Sequence, residues 1–134
     1  MRRVDSFTSP SSDATNAPAG PTTAELTSDD SMTTHDVDTT TTANAIYVRV
    51  WSQHKGVENG ETLKVEYLNA FLNWIELETI VSDGIDQNNF TLHQWALPFD
   101  GRTSFMQVRI TANGDEADDR WFVVGAKSDE VDHV

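Results

Sequence analysis

An acidic segment near the carboxyl end of the chain carries the residue types best suited to binding chemistry. It reads Asn-Gly-Asp-Glu-Ala-Asp-Asp over positions 113–119, and its candidate metal ligands are Asp115, Asp118 and Asp119. Hard cations such as Ca²⁺ bind several oxygen ligands at close range, and carboxylates this dense repel one another unless something neutralises them. The spacing differs from that of an EF-hand loop. The segment therefore indicates either a calcium site or a solvated hairpin loop without an ion.

Two further groups of polar residues have the composition of a metal site but a weaker pattern. Asp83, Asp86 and Asn88 place three oxygen-bearing side chains in one polar loop. The segment His35 to Asp38 combines a histidine with two aspartates, but its surroundings are too polar to hold it rigid. The acidic segment at 113–119 remains the main candidate.

Tryptophan side chains are the second candidate for ligand binding. A tryptophan in a β-sandwich usually packs in the core, because it buries a large apolar area. Trp51 and Trp95, however, are predicted to lie opposite the more apolar face of their strands. Exposed apolar surface on a soluble domain tends to mark an interaction site. We therefore expect these two residues to be candidate ligand contacts, for example in stacking on a sugar ring.

Residues for catalysis are not grouped in any recognisable way. His54 and His93 lie far apart in sequence, and the other two histidines are in the terminal segments. No serine or aspartate pattern accompanies them, and no glycine-rich phosphate loop is present. The many Asp and Glu residues do not single out a glycosidase pair. The sequence thus predicts that the protein is not an enzyme, and a small hydrolase is the least favoured interpretation.

Composition and charge exclude several classes of partner. The chain has 134 residues and a net charge of -13. This charge argues against nucleic acid and against anionic membrane surfaces, because both require basic residues. No apolar run approaches the roughly 18 residues of a membrane span, so no membrane insertion is expected. The absence of cysteine excludes disulfides and zinc-thiolate sites. The start Met-Arg-Arg lacks the apolar stretch of a signal peptide.

The amino-terminal third has a composition unlike the rest. Seventeen of residues 1–44 are Ser or Thr, and three of the four prolines lie there. Such a segment buries too little apolar surface to offset the entropy of ordering it. We therefore predict a disordered tail over 1–44, a folded domain over 45–124 and a polar carboxyl-terminal tail over 125–134.

The segment 61–81 decides the fold, because it can be interpreted as one amphipathic helix or as two strands. Alternation of apolar and charged residues favours two strands joined by a turn near residues 69–73. Four more strands are predicted, with turn signals between them: 46–51, 90–97, 105–111 and 121–124. This pattern is typical of an antiparallel β-sandwich. An uncovered edge strand could pair with a second copy, and the sequence does not choose between a monomer and an oligomer.

The order of these motifs resembles a known family. The strand Tyr47–Trp51, the segment Gly60–Tyr67, the strand closed by Pro98, the strand 105–110 and the ending Asp118–Val123 follow one another as in MAM-like jelly-roll modules. These modules are repeated in large bacterial surface proteins of planctomycete type, and the resemblance covers about 80 residues. It implies an antiparallel jelly-roll β-sandwich at the cell surface or outside the cell. It also implies non-catalytic adhesion or recognition of a glycan or protein. The alternative is a structural spacer with no ligand of its own.

Overall fold

The protein is all-β in this computed structural model, which describes residues 3–5 by their backbone, 23–40, 45–116 and 118–125. One short 3-10 helix, Phe99–Gly101, follows the seventh strand. The strands are β1 (Arg3–Asp5), β2 (Thr23–Thr27), β3 (Ser31–Thr33), β4 (Tyr47–Lys55), β5 (Thr62–Leu68), β6 (Trp74–Val81), β7 (Thr91–Ala96), β8 (Val108–Asn113) and β9 (Arg120–Gly125).

These strands form two sheets with a jelly-roll order. The first sheet runs β1-β3-β8-β5-β6, and the second runs β2-β9-β4-β7. All pairings are antiparallel except the short parallel pair β1–β3. From β2 onward, successive strands change sheet at every connection except β5–β6, as expected for two interlocked Greek keys. The predicted antiparallel β-sandwich is confirmed.

The core lies between the sheets and follows from the period-two alternation of their strands. Val48 and Val50 point inward from β4, and Leu63 and Val65 point inward from β5, all at most 1% exposed. Trp121 of β9 belongs to the same buried cluster. The segment 61–81 forms two strands and not a helix, with the turn at residues 69–73 where alternation predicted it. The period-two alternation of apolar and charged residues therefore predicted these two strands correctly.

The predicted disordered tail is wrong for residues 23–40. There β2 pairs with β9 and β3 pairs with β8, so this segment supplies one strand to each sheet. Leu26 and Met32 are fully buried, and Val37 is 2% exposed. Strand pairing uses backbone hydrogen bonds, which every composition offers, and the few apolar side chains fall where the core needs them. The folded domain therefore begins before residue 45. Residues 6–22 and 41–44 lie outside the described part of the chain.

Several predicted strand limits also change. The strand expected over 105–111 begins at Val108, and Met106 forms only an isolated bridge with Val37. The first predicted strand continues through Gln53 to Lys55 instead of ending at Trp51. In the predicted carboxyl-terminal tail, Gly125 ends β9, and residues 126–134 lie outside the described part.

The sandwich has two distinct ends. At one end, which we call the carboxylate end, the loops 28–30, 56–61, 82–90 and 114–119 meet. Hydrogen bonds from Ser28 N to Asp119 O and from Ser82 Oγ to Val57 O join them. At the opposite end, the turn 69–73 packs against the 3-10 helix through a bond from Ala70 N to Asp100 O. The loops of the sandwich therefore form two separate clusters, one at each end, and either could hold a binding site.

Candidate metal centre

Carboxylates from two loops converge at the carboxylate end. Glu58 and Glu61 come from the β4–β5 loop, and Asp115 and Asp119 come from the β8–β9 loop. One carboxylate oxygen from each of the four lies within 4.8 Å of the others. Four negatively charged oxygens at this spacing form a ligand set for a hard divalent cation.

Asp119 is the buried member of this group. Its side chain is 1% exposed. Its Oδ2 atom accepts hydrogen bonds from the backbone N–H groups of Asp115, at 3.0 Å, and Glu116, at 2.9 Å. Its Oδ1 atom is buried and has no hydrogen-bond partner among the described residues. A buried carboxylate oxygen without a partner is energetically costly, and a bound cation would remove that cost.

Two glycines make room for this arrangement, Gly56 between the two loops and Gly114 within the β8–β9 loop. Gly56 has a φ of +72°, and a Cβ atom there would lie 2.2 Å from the backbone oxygen of Asp118. A Cβ atom on Gly114 would lie 2.8 Å from Oδ2 of Asp119. Any larger residue would push one loop from the other or move the buried carboxylate. The local sequence is therefore matched to a close approach of the two acidic loops.

Hydrogen bonds between the acids, loss of hydration and neighbouring charges perturb the pKa values of these carboxyl groups. A hydrogen bond with Glu61 raises the pKa of Glu58 to about 7. The pKa of Asp115 is also raised, first by burial and then by the charges of Glu61 and Asp119. Crowded like charges raise carboxyl pKa values because the neutral form is then favoured. A divalent cation bound between these acids would offset the same repulsion.

The three aspartates that the sequence singled out do not form one ligand set. Asp115 belongs to the four-carboxylate group, whereas Asp118 belongs to a second group with Glu116 and Asp119. A hydrogen bond with Asp118, which accepts from the protonated form, raises the pKa of Glu116. Asp119 is common to both groups and connects them. The metal ligands predicted from the sequence stay a prediction, and the structure divides these three acids between two groups.

Glu58 and Glu61 were missed by the sequence analysis. The sequence Glu58-Asn59-Gly60 predicts a turn, and Glu61 follows it at the start of a predicted strand. The turn is present, with Glu61 N donating to Glu58 O, and Glu61 Oε1 also accepts the N–H of Glu58. The sequence shows only two acids on either side of a turn. Nothing in it indicates that this turn meets the β8–β9 loop, because the jelly-roll order of the strands brings the two loops together.

The weaker oxygen groups do not converge on a common point. Asp83 Oδ1 accepts the N–H of Ile85 and lies 3.3 Å from His54 Nε2. Asp86 Oδ1 accepts the N–H of Gly56 at 2.8 Å. These aspartates fasten the 82–90 loop to the end of β4. In the other weak segment, Asp38 caps Thr40 and Asp36 accepts from Gln107 Nε2, so the two carboxylates point to different partners.

Trp51 and Trp95 lie on opposite faces of the second sheet. Trp51 is half-buried on the outer face, opposite Leu92 and Val124. Trp95 lies opposite Val48, packs against the core and donates a hydrogen bond from Nε1 to Glu78 Oε1 at 2.8 Å. The two predicted ligand contacts therefore do not share one binding surface.

Two histidines that are distant in sequence line one small cavity. The cavity, of about 140 Å³, lies between β4, β6 and β7 and includes His54, His93 and Trp121 in its wall. Ser52 Oγ and His93 Nε2 are hydrogen-bonded at 2.9 Å, and burial lowers the pKa of His93. Ser52 also lines this cavity and is only 2% exposed. The arrangement is a packed polar cluster at the open side of the sandwich.

A larger groove crosses the outer face of the first sheet. It has a volume of about 450 Å³. Lys64 lies at its centre, between Thr79 on β6 and Thr111 on β8. The remaining lining residues are Asp29, Thr62, Glu76, Ala112 and Asn113. Its wall therefore combines hydroxyl, amide, ammonium and carboxylate groups.

Comparison with protein-family models found no match, and comparison with curated proteins found none either. The resemblance to MAM-like modules therefore stays a prediction that rests on the residues given above. Within the described ranges, no helix is both long and apolar enough to cross a membrane.

Proposed function

We propose that the chain is a non-catalytic recognition module of the cell surface, stabilised by Ca²⁺ at the carboxylate end. The observation that carries the proposal is Asp119, a fully buried carboxylate with one unpartnered oxygen beside the acids of a second loop. A cation at that point would join the β4–β5 loop to the β8–β9 loop. It would thereby fix the end of the sandwich at which four loops meet.

The ligand chemistry favours calcium over other metals. The two groups offer carboxylate oxygens and neither nitrogen nor sulfur. Such all-oxygen sets suit Ca²⁺, Mg²⁺ or Mn²⁺, whereas zinc and copper favour imidazole and thiolate. Mg²⁺ demands near-ideal octahedral geometry and keeps several waters, but Ca²⁺ accepts irregular sets of six to eight oxygens. A cluster in which both glutamates and aspartates come from irregular loop positions fits the less demanding ion.

The recognition role is supported by the groove around Lys64. Thr62, Thr79 and Thr111 offer hydroxyl groups that can both donate and accept hydrogen bonds. Asp29 and Asn113 add acceptors and an amide at the rim. A sugar carries closely spaced hydroxyls that need such mixed partners, so a glycan is the ligand class that this wall suits best. A protein ligand at the same face is the other form of the proposal.

The second candidate function is a structural spacer with no ligand of its own. It is favoured by one observation, the placement of Trp51 and Trp95 on opposite faces of their sheet. A spacer would still use the cation, because a rigid sandwich end is what a spacer supplies to its neighbours. The two functions therefore share the metal centre and differ at the groove.

Thermal melts test the cation. Because only the folded state assembles the site, calcium at about 100 times its dissociation constant stabilises the protein by about 2.7 kcal/mol. We expect the Tm to rise in calcium relative to EDTA for the wild-type chain. The Asp119→Asn variant should lose this rise, since it keeps an acceptor for the N–H groups of Asp115 and Glu116 but lacks the charge. Glu76→Gln, which removes one exposed acid away from the site, is the control and should retain it.

Glycan-array binding separates recognition from spacing. The wild-type chain, Lys64→Ala, Trp51→Ala and Trp95→Ala are compared on one array in calcium. Loss of binding only in Lys64→Ala identifies the groove as the ligand surface, and loss in either tryptophan variant identifies that face instead. A blank array for the wild-type chain supports the spacer and contradicts glycan recognition.

A further inference from the structure

Two asparagines in the chain are followed directly by glycine, in the pairs Asn59-Gly60 and Asn113-Gly114. Asn59 lies in the β4–β5 loop, and Asn113 is the last residue of β8. In such a pair the backbone nitrogen of the glycine can attack the side-chain carbonyl carbon of the asparagine. Glycine favours this attack, because it has no Cβ atom to obstruct it and its backbone is conformationally permissive. Both pairs are therefore chemically capable of deamidation.

The side chains of the two asparagines have similar surroundings. Both Asn59 and Asn113 are exposed, and neither side-chain amide forms a hydrogen bond with another residue in the described ranges. Acidic residues lie beside each pair, with Glu58 and Glu61 flanking the first and Asp115 following the second. Side-chain access and local charge therefore do not distinguish the two pairs, and any difference in reactivity comes from the backbone.

The backbone of the first pair is held by the neighbouring loop. The N–H of Gly60 donates a hydrogen bond to Ser82 O at 3.0 Å. Gly84 of the same loop lies against Asn59, since a Cβ atom added to Gly84 would be 3.1 Å from Asn59 N. The nitrogen of Gly60 can attack only after it gives up this hydrogen bond and turns toward the Asn59 side chain. The fold therefore opposes the reaction at Asn59.

The backbone of the second pair lacks this restraint. The N–H of Gly114 makes no hydrogen bond with any residue that the structure describes. The carbonyl of Gly114 accepts from Ser28 Oγ at 3.4 Å. Asn113 pairs with Thr62 in the last pair of the β5–β8 ladder, so its rotation opens only the end of that ladder. The ends of secondary-structure elements open at the lowest free-energy cost.

We propose that Asn113 is a site of spontaneous deamidation in the folded protein and that Asn59 is protected from it. A water-derived base takes the N–H proton of Gly114, and the nitrogen then forms a bond to Cγ of Asn113. The bond between Cγ and the side-chain nitrogen breaks, and that nitrogen leaves as ammonia. Water opens the resulting succinimide ring at either carbonyl, which gives aspartate or isoaspartate at this position. The net reaction consumes a water molecule, releases ammonia and transfers no electrons.

The modification would change the groove around Lys64. Asn113 lines this groove, and it stands diagonal to Lys64, which pairs with Thr111 on the same strand as Asn113. Diagonal neighbours on one face of a sheet lie about 7–8 Å apart, within reach of a long side chain. The Lys64 ammonium forms no ion pair with another described residue. The new carboxylate would therefore offer it a partner at the rim of the groove.

Peptide mapping by mass spectrometry tests the proposal on the full-length chain. Trypsin releases the two pairs in separate peptides, 56–64 and 110–120, and each peptide contains a single asparagine. The folded chain is aged in EDTA at mildly alkaline pH, and a matched sample is aged in denaturant. In the folded chain we expect peptide 110–120 to deamidate at least about tenfold faster than peptide 56–64. In denaturant the two rates should agree within about twofold, because the fold no longer restrains either pair.

The products also test the mechanism, because opening of the succinimide gives two chromatographic peaks of equal mass, aspartate and isoaspartate. A single aspartate peak would contradict attack by the Gly114 nitrogen. Equal rates for the two peptides in the folded chain would show that the hydrogen bond to Ser82 gives no protection. A peptide 110–120 that reacts in denaturant but not in the folded chain would overturn the proposal outright.

Discussion

Individual carboxyl groups at the candidate metal centre are buried or have raised pKa values. Asp119 is buried with one oxygen unpartnered, and Glu58 has its pKa raised to about 7 by the hydrogen bond with Glu61. Both features have the same cause, since four acids are brought together by the chain. In the absence of a cation, protonation of Glu58 neutralises part of this charge.

The first consequence at this scale is a pH dependence in EDTA. The raised pKa of Glu58 means that the folded state binds its proton more tightly than the unfolded state, whose value is near 4.5. That contribution to stability is fully present below pH 4.5 and is lost as the pH rises through about 7. We expect the Tm in EDTA to fall over this window more steeply in the wild-type chain than in Glu58→Gln.

The comparison with Glu58→Gln is needed because His93 acts in the opposite sense. Burial lowers its pKa, so its contribution is lost as the pH falls below its ordinary value of 6.5. This effect is common to both proteins and cancels in the difference between them. Parallel Tm profiles for the two proteins would show that Glu58 holds no extra proton in the folded state.

At the scale of elements, the metal centre depends on two loops that touch through glycine. Substitution of Gly56 by alanine combines a left-handed backbone with a Cβ atom 2.2 Å from the Asp118 oxygen. We expect a loss of about 2–4 kcal/mol in the free energy of unfolding, together with weaker calcium binding. Gly60→Ala is the matched control: its φ is +94°, but nothing lies within 4 Å of the added atom. It should lose stability from strain alone, about 1 kcal/mol. Equal losses from denaturant melts would contradict the close approach of the loops.

The strands β2 and β3 carry a second prediction at this scale. Leu26 and Met32 are fully buried, so Leu26→Ala and Met32→Ala should each destabilise the protein by about 2–5 kcal/mol. Ile85→Ala, on an exposed loop, should change stability by less than about 0.5 kcal/mol. Urea denaturation measures all three. If residues 23–40 were disordered, Leu26→Ala and Met32→Ala would change the free energy of unfolding as little as Ile85→Ala does.

These elements also show how far the sequence predicts the fold. Alternation identified β5 and β6, because each carries several apolar residues at period two. It missed β2 and β3, because a short strand beside a longer partner needs only one or two apolar residues. The rest of its stability comes from backbone pairing, which leaves no trace in composition.

Only part of the four-carboxylate group could be expected from the sequence, for a related reason. Asp115 and Asp119 are conspicuous in a dense acidic loop, whereas Glu58 and Glu61 resemble ordinary surface acids. Only the jelly-roll connection, which sends β4 and β8 toward the same end in different sheets, brings the two loops together. For Trp95 the sequence predicts the wrong orientation. The residue was expected on the outer face of its strand, whereas its ring packs against the core.

For the molecule as a whole, the division between its two ends is the main feature. Carboxylates from two loops gather at one end, and Phe71, Leu72 and Phe99 protrude at the other, with the sandwich core between them. The groove around Lys64 lies along the side of the first sheet. A cation bound at the carboxylate end would therefore leave both the groove around Lys64 and the opposite end of the sandwich exposed.

The most direct measurement is a calcium titration of the isotope-labelled chain, followed by backbone amide chemical shifts. Binding at the carboxylate end should move the amides of Asp115 and Glu116, which donate to Asp119, and those of Glu58 and Glu61, with a single stoichiometric end point. Amides of the turn at residues 69–73 should stay in place. Unchanged spectra at millimolar calcium, or small shifts spread over all acidic residues without an end point, would contradict a cation-stabilised module.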